Sequence, residues 1–135
     1  MFIHLNPIGG IAGDMFIAAM LDAWPELKPK VFDAMRQTGL PSDWSLELKS
    51  ASSSSITGKK LIITGDANNT HFSTGNYKDI CNRLSNSALP PTVIERAIDI
   101  FHRLAVAEGA VHGKSIEAVH FHEIADWDSI CDIVG

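Results

Sequence analysis

The chain has 135 residues, of which 45% are hydrophobic and 20% are charged. This balance is typical of a soluble globular protein, and the length predicts a single domain over residues 1–135 that buries about two thirds of its unfolded surface. Sixteen acidic against eleven basic residues give a net charge of −5, and the longest basic run is the pair Lys59-Lys60. This charge pattern argues against a nucleic-acid-binding protein.

The cysteines and the N-terminal composition predict a cytoplasmic protein. Cys81 and Cys131 lie in separate apolar stretches, which fits reduced thiols better than a disulfide framework. No Lys or Arg precedes Lys28, and the longest apolar run near the N-terminus, Met15–Leu21, has only seven residues. We therefore expect neither a signal peptide nor a membrane-spanning helix.

The first elements are predicted to be a strand, a glycine-rich loop and a buried helix. Phe2–Leu5 is a short β-prone run, and the glycines within Ile8–Gly13 allow the unusual backbone angles of a loop. Asp14 opens a helix that continues to about Ala23 and is apolar on nearly every side. Trp24-Pro25 ends this helix, because proline disfavours the helical conformation of the residue before it.

An amphipathic helix and an antiparallel hairpin are predicted next. Pro29 suits the first turn of a helix, and Gly39 suits the left-handed residue that ends one. Trp44–Lys49 alternates in polarity with period two, and Leu61–Thr64 follows after the polar stretch Ser50–Gly58. These two runs predict a hairpin with a long connection.

The second half of the chain is predicted to be mainly helical. Tyr77–Leu84 and Thr92–Val111 repeat apolar residues with helical spacing, and the second of them ends at Gly113. Val119–His122 predicts a strand, and Asp128–Val134 predicts the start of a helix. The order of elements indicates an α+β fold with helices packed on a mixed sheet of about four strands, with a parallel α/β arrangement as the alternative.

The loop before the first helix is a candidate ligand site formed by Gly9, Gly10, Gly13 and Asp14. Glycines let the backbone approach a ligand closely, and the free N–H groups of a helix N-terminus attract phosphate or carboxylate. The spacing is close to the dinucleotide fingerprint G-x-G-x-x-G, but Ile8 stands in place of its first glycine. The alternative is a tight turn in which Asp14 only caps the helix.

A second candidate site is a series of nitrogen and oxygen donors formed by His120, His122, Glu123 and Asp128. Strand alternation puts both imidazoles on one face, and a helix beginning near Asp128 puts Asp132 one turn further on. Such donors suit nickel or zinc better than calcium or magnesium. The alternative is an exposed edge strand with solvated histidines, followed by an acidic helix start.

Three segments carry a resemblance to a known family. They are Asn6–Phe16 (NPIGGIAGDMF), Ala105–Gly113 (AVAEGAVHG) and the final block from Val119 to Gly135, which contains VHFHE, DSI and DIVG. In this order they resemble the N-terminal part of the LarC family of nickel insertion proteins. The chain is therefore expected to be a truncated member, lacking the C-terminal part.

The resemblance implies the chemistry of the whole family. Its members are chelatases of the lyase class that insert nickel into a pyridinium bis-thiocarboxylate mononucleotide at the expense of CTP. The product is the nickel pincer cofactor of lactate racemase. By the same resemblance, CTP and its Mg²⁺ or Mn²⁺ belong to the C-terminal part, so the isolated chain is expected to be inactive.

The motifs and the resemblance together give a functional hypothesis. The chain is a nickel-handling domain in which His120 and His122, with Glu123 or Asp128, hold nickel or zinc, while the loop from Gly9 to Asp14 lines the substrate pocket. The alternative is a non-catalytic module that assembles with a C-terminal partner domain. A metal-dependent hydrolase is the third hypothesis. Homo-oligomerisation is left open.

Overall fold

The computed structural model describes residues 2–53, 56–65, 75–121 and 126–135. Within these ranges the chain forms five α-helices and one two-stranded antiparallel sheet. In chain order the elements are α1 (Gly13–Ala23), α2 (Lys28–Gln37), β1 (Ser45–Ser53), β2 (Ile56–Thr64), α3 (Tyr77–Ser85), α4 (Pro91–His112) and α5 (Trp127–Val134). Short 3₁₀ turns occupy Pro25–Leu27 and Ile116–Ala118. The predicted α+β class is confirmed.

Proline and glycine mark the ends of two helices, as predicted for Pro29, Gly39 and Gly113, whereas Pro91 lies inside a helix that was predicted to begin at Thr92. Pro29 and Pro91 lie in the first turns of α2 and α4, where the missing proline N–H would have no helical acceptor. Gly113 ends α4 with a left-handed backbone at φ +62°, and its N–H donates to the carbonyl of Gly109. Gly39 follows α2 at φ +93°, in the same left-handed region.

The predicted hairpin is confirmed, and its strands are longer than predicted. β1 and β2 pair from Ser45 opposite Thr64 to Ser53 opposite Ile56, so that most of the predicted connection is strand. Polar side chains bond across this part, since the Lys59 Nζ donates to the Ser50 Oγ over 3.0 Å. Such cross-strand pairs between polar side chains can stabilise an exposed part of a hairpin that has no buried apolar side chains.

The expectation of about four strands is wrong for the described residues, where the sheet has two. Phe2–Leu5 is not a strand, although its composition is β-prone. A strand is held by backbone hydrogen bonds to a neighbour, and the described part of the chain supplies none to this segment. The alternative of a parallel sheet also does not apply, because β1 and β2 run antiparallel.

The second predicted strand, Val119–His122, is reduced to a single antiparallel bridge between His120 and Asn76 in its described part. The N–H of Phe121 donates to the carbonyl of Gly75 over 2.7 Å. These few residues therefore attach to the chain just before α3 and do not join the sheet. His122 lies outside the described residues.

Two hydrophobic cores form, one from each half of the chain. The core around α3 and α4 contains Ile80, Leu84, Leu89, Ala97, Phe101, Ala105, Val119 and Phe121. The core around α1, α2 and the hairpin contains Ile17, Ala18, Leu21, Met35, Leu40, Trp44 and Leu61. α5 joins the two, because Ile130 and Val134 lie in the first core while Trp127 and Cys131 lie in the second.

Both cysteines carry free thiols, as predicted. Cys131 is buried and Cys81 is half-buried. Burial, together with the nearby carboxylates of Asp128 and Asp132, raises the pKa of the Cys131 thiol to about 12. This thiol is therefore protonated and unreactive at neutral pH. In the described part of the chain, no helix is both long and apolar enough to cross a lipid bilayer.

The position of α5 predicts a large cost for truncating its buried side. Ile130 is 0% exposed, and we expect Ile130→Ala to lower the free energy of unfolding by about 2–5 kcal/mol, because a cavity remains between the helices. Ile8 is 87% exposed and provides a matched control, so Ile8→Ala should change the free energy of unfolding by less than about 0.5 kcal/mol. Urea denaturation of both variants measures the difference, and equal midpoints would contradict the assigned position of α5.

Candidate functional site

The glycine-rich loop before α1 is an exposed turn with a left-handed backbone. Gly9 and Gly10 have φ values of +89° and +100°, which confirms the prediction of glycines at positive φ. The N–H of Gly10 donates to the carbonyl of Pro7 over 3.1 Å and closes the turn. No atom lies within 4 Å of the place where either glycine would carry a Cβ, so this backbone is open to a ligand.

Gly13 is required for a different reason, which is contact with α5. It is the first residue of α1, and a Cβ placed on it would lie 2.6 Å from the Cβ and 2.8 Å from the Oδ2 of Asp132. Real Cβ atoms do not approach other atoms this closely, so a side chain at this position would push the two helices apart. Gly13 thus lets the start of α1 lie directly against Asp132.

Asp14 does not take the capping role that was the alternative for this residue. The N-cap position of α1 is Ala12, and Asp14 is the second residue of the helix. Its Oδ1 accepts a hydrogen bond of 2.8 Å from the N–H of Met15. A carboxylate in the first turn of a helix is favoured by the positive end of the helix dipole.

The start of α5 brings further carboxylates to the same place. Asp126 is the N-cap, and its Oδ1 accepts a hydrogen bond of 2.9 Å from the N–H of Ser129. Asp128 lies in the first turn and is exposed, and Asp132 lies one turn later and is half-buried. We call Asp14, Asp126, Asp128 and Asp132 the acidic cluster.

Burial and mutual repulsion perturb the acidic cluster. The pKa of Asp132 is raised to about 6, first by burial and then by the charges of Asp128 and Asp14, while the backbone N–H of Asp14 acts in the opposite direction. Burial and the charges of Asp126 and Asp14 also raise the pKa of Asp128. The Oδ1 of Asp132 is buried without a hydrogen-bond partner among the described residues. The cluster therefore holds carboxylates that a cation or a proton would stabilise.

The structure describes two of the four predicted metal ligands, His120 and Asp128. His120 is exposed beside Gly75, where a Cβ would lie 2.9 Å from the imidazole Cε1, and Asp128 belongs to the acidic cluster. Phe121 is buried, so the predicted alternation of outward His120 and inward Phe121 is found. His122 and Glu123 lie outside the described residues. Among the residues that are described, no three His, Cys, Asp or Glu side chains are arranged to hold a metal ion.

Sequence reasoning missed the contact between the two candidate sites. Asp126, Asp128 and Asp132 are recognisable as an acidic run, and Asp14 as part of the glycine loop, but the two lie more than 100 residues apart. The contact depends on how α1 and α5 pack, and no local pattern encodes that packing. The glycine directly before Asp14 is the one signal, since it permits a close approach of two helices.

Comparison with known proteins identifies relatives over nearly the whole chain. A family model described as nickel insertion protein matches residues 3–135. Two relatives named "Putative nickel insertion protein" come from Myxococcus xanthus, at 41% identity over 137 residues, and Geobacter metallireducens, at 39% over 134 residues. The alignments cover 98% of this chain in both cases, and 34% and 33% of the relatives.

A relative from Geobacillus kaustophilus carries a more specific name. It is called pyridinium-3,5-bisthiocarboxylic acid mononucleotide nickel insertion protein, and it is 36% identical over 138 residues, which cover 98% of this chain and 34% of the relative. The chain thus spans about a third of the length of the curated relatives it matches. No solved structure matches the chain.

The close approach at Gly13 predicts that a single methyl group is destabilising there. We expect Gly13→Ala to lower the free energy of unfolding by about 1–3 kcal/mol, because the added Cβ overlaps the Asp132 side chain. Gly58 is a control, since its Cβ would meet no atom within 4 Å. Thermal denaturation should therefore separate Gly13→Ala from Gly58→Ala, and coinciding curves would refute the close contact.

The raised pKa of Asp132 predicts a loss of stability as pH rises. Because this pKa is about 6 in the folded chain and about 4 in the unfolded one, the folded state binds more protons between these values. Stability contributed by neutral Asp132 is complete below about pH 4 and declines as pH rises through about 6. We expect Asp132→Asn to be more stable than the parent at pH 7.5 by about 1 kcal/mol after solvent screening, and equal to it at pH 4.

Urea denaturation at pH 4 to 8 measures this dependence. Asp22→Asn, on the exposed side of α1, is the control and should follow the parent curve. If the stability of the Asp132→Asn protein depended on pH as steeply as that of the parent, a group other than Asp132 would cause the pH dependence.

Proposed function

Because the chain belongs to the nickel insertion protein family, we propose that it is the N-terminal nickel-handling domain of a protein that inserts nickel into a nucleotide-derived cofactor. The observation that carries this proposal is the family match over residues 3–135, which includes the glycine loop, the acidic cluster and His120. Nickel is a substrate of the reaction and leaves the domain with the product.

The proposed nickel ligands are His120, His122, Glu123 and Asp128. Imidazole nitrogen and carboxylate oxygen are donors that suit divalent nickel, and they also suit zinc, which is the competing ion. His120 and Asp128 are exposed, so an entering ion can reach both. The acidic cluster supports the proposal electrostatically, since a dication would offset the burial and the repulsion by Asp126 and Asp14 that together raise the pKa of Asp128.

The proposed acceptor of nickel is the mononucleotide in the name of the Geobacillus kaustophilus relative. Its phosphate would bind to the open backbone at Gly9 and Gly10, next to the N-terminus of α1. The acidic cluster repels a phosphate unless a cation lies nearby, which favours metal binding before nucleotide binding. Thiocarboxylate sulfur is a softer donor than carboxylate oxygen, so nickel would pass from the protein ligands to the nucleotide by ligand exchange.

We further propose that the remaining two thirds of the relatives' length supply the energy for insertion. In this division CTP, with Mg²⁺ or Mn²⁺, is consumed by the part that this chain does not span. The finished product would be the nickel pincer cofactor of lactate racemase. The chain alone would then bind nickel without turning over CTP.

A purely structural role is the second candidate. It is favoured by the exposed apolar residues near the N-terminus, which include Phe2 at 90% exposure and Ile8 at 87%. In that case the domain would assemble with a C-terminal partner domain and would not bind metal itself. The two candidates are separated by a metal titration of the chain.

We expect the chain to bind nickel through the histidine pair. The double variant His120→Ala/His122→Ala should lose at least about tenfold in affinity, because two nitrogen donors are removed. Affinity should also fall as pH decreases through about 6.5, since only neutral imidazole binds a metal. Isothermal titration with NiCl₂ and with ZnCl₂ measures both effects.

The double variant His4→Ala/His112→Ala is the matched control. Both residues are exposed and lie outside the proposed site, and His112 pairs with Glu108 at the end of α4. Nickel affinity that is lost equally in both double variants would indicate nonspecific binding to surface histidines. Affinity that is unchanged in both would show that nickel binds elsewhere, whereas no nickel binding by the parent chain would favour the structural role.

A further inference from the structure

The first residues of the chain are mostly apolar and make no backbone hydrogen bond with the described residues. Phe2 is 90% exposed, and Ile3 and Leu5 are 42% and 51% exposed. No described residue forms a backbone hydrogen bond with Phe2–Leu5. The first backbone hydrogen bond along the described chain joins the N–H of Ile8 to the carbonyl of Asn6 over 2.8 Å. The segment therefore offers free backbone donors and acceptors together with large apolar side chains.

Exposed apolar side chains also occur after residue 5, as far as the first turn of α1. We define the N-terminal apolar surface as Phe2, Ile3, Leu5, Ile8, Ile11, Met15 and Phe16, all of which are exposed. Phe16 also lines an apolar cavity of about 300 Å³ with Met20, Trp24, Leu27 and Val31. Soluble proteins rarely expose so many large apolar side chains together unless another surface covers them.

We infer that Phe2–Leu5 becomes a strand by pairing with the C-terminal part of the full-length protein, and that the N-terminal apolar surface docks on that part. The composition of the segment is β-prone, and alternation would put Ile3 and Leu5 on one face of the strand and Phe2 on the other. Main-chain pairing supplies affinity in this mode of recognition, and the alternating side chains supply specificity.

The length of the relatives identifies the occupant. The alignments span about a third of each relative, so two thirds of such a protein are available to cover the surface. A second copy of this chain fits less well. Met15 belongs to the N-terminal apolar surface and its neighbour Asp14 belongs to the acidic cluster, so a symmetric contact would bring two acidic clusters together. Each copy also carries a net charge of −5. The inference depends on family membership and is independent of nickel binding.

The first test compares the chain alone with a chimera in which it replaces the matching third of the Myxococcus xanthus relative. Hydrogen exchange followed by mass spectrometry should show rapid exchange at residues 3–5 in the chain alone. In the chimera we expect protection of these amides by about 100-fold or more, since they would be paired in a sheet. Equal exchange rates in the two proteins would overturn the inference.

A pair of isoleucine variants tests the surface itself. Ile3→Asp should lower the melting temperature of the chimera by about 4 °C or more and that of the chain alone by less, because Ile3 is 42% exposed in the chain alone and the charge is fully buried only in the chimera. Ile56→Asp is the control, since Ile56 is 76% exposed at the far end of the hairpin. Equal effects of the two substitutions on the chimera would overturn the inference.

Association in trans provides a measurement that does not require the chimera. The chain should co-purify with the remaining two thirds of the Myxococcus xanthus relative. Ile3→Asp should abolish this association, and Ile56→Asp should leave it intact. Dimerisation of the chain alone that Ile3→Asp abolishes would identify a second copy as the occupant and overturn the inference. Nickel titration of the same samples separates this inference from the proposed function. A chain that associates but binds no nickel would reject only the proposed function.

Discussion

The packing of one apolar face of α5 into both hydrophobic cores is the constraint on which the rest of the structure depends. Ile130 and Val134 complete the core of the α3–α4 half, whereas Trp127 and Cys131 complete the core of the half that contains the hairpin. A helix whose apolar face packs in two cores cannot rotate or slide without losing buried area in one of them. The remaining side of α5 therefore has a fixed direction, and Asp132 on this side is held against the start of α1.

This arrangement makes the acidic cluster a consequence of packing. The apolar residues of α5 determine where Asp128 and Asp132 lie, and the close approach at Gly13 determines where Asp14 lies. The four carboxylates are brought together although they repel each other, and the pKa of Asp132 is raised to about 6, first by burial and then by the charges of Asp128 and Asp14. Groups with strongly shifted pKa values are found preferentially at functional sites, where stability is exchanged for chemistry.

Local patterns in the sequence were sufficient to predict most elements of this fold. The helical spacing of α4, Pro29 in the first turn of α2 and Gly113 are properties of neighbouring residues, and they predicted the helices with small errors at the ends. The strands at Phe2–Leu5 and Val119–His122 were predicted from composition, but a strand also needs a neighbour, which composition does not reveal. The contact of Gly13 with Asp132 joins two elements from opposite ends of the chain, so its prediction requires the packed structure.

The place of α5 in the chain also affects how the protein is made. Both halves of the fold are complete in sequence before Trp127 is added during translation, yet each lacks the helix that closes its core. A nascent chain that stops at residue 126 would expose part of both cores at once, a condition that favours chaperone binding and aggregation. The same eight residues therefore complete both cores, which couples the folding of the two halves in time as well as in space.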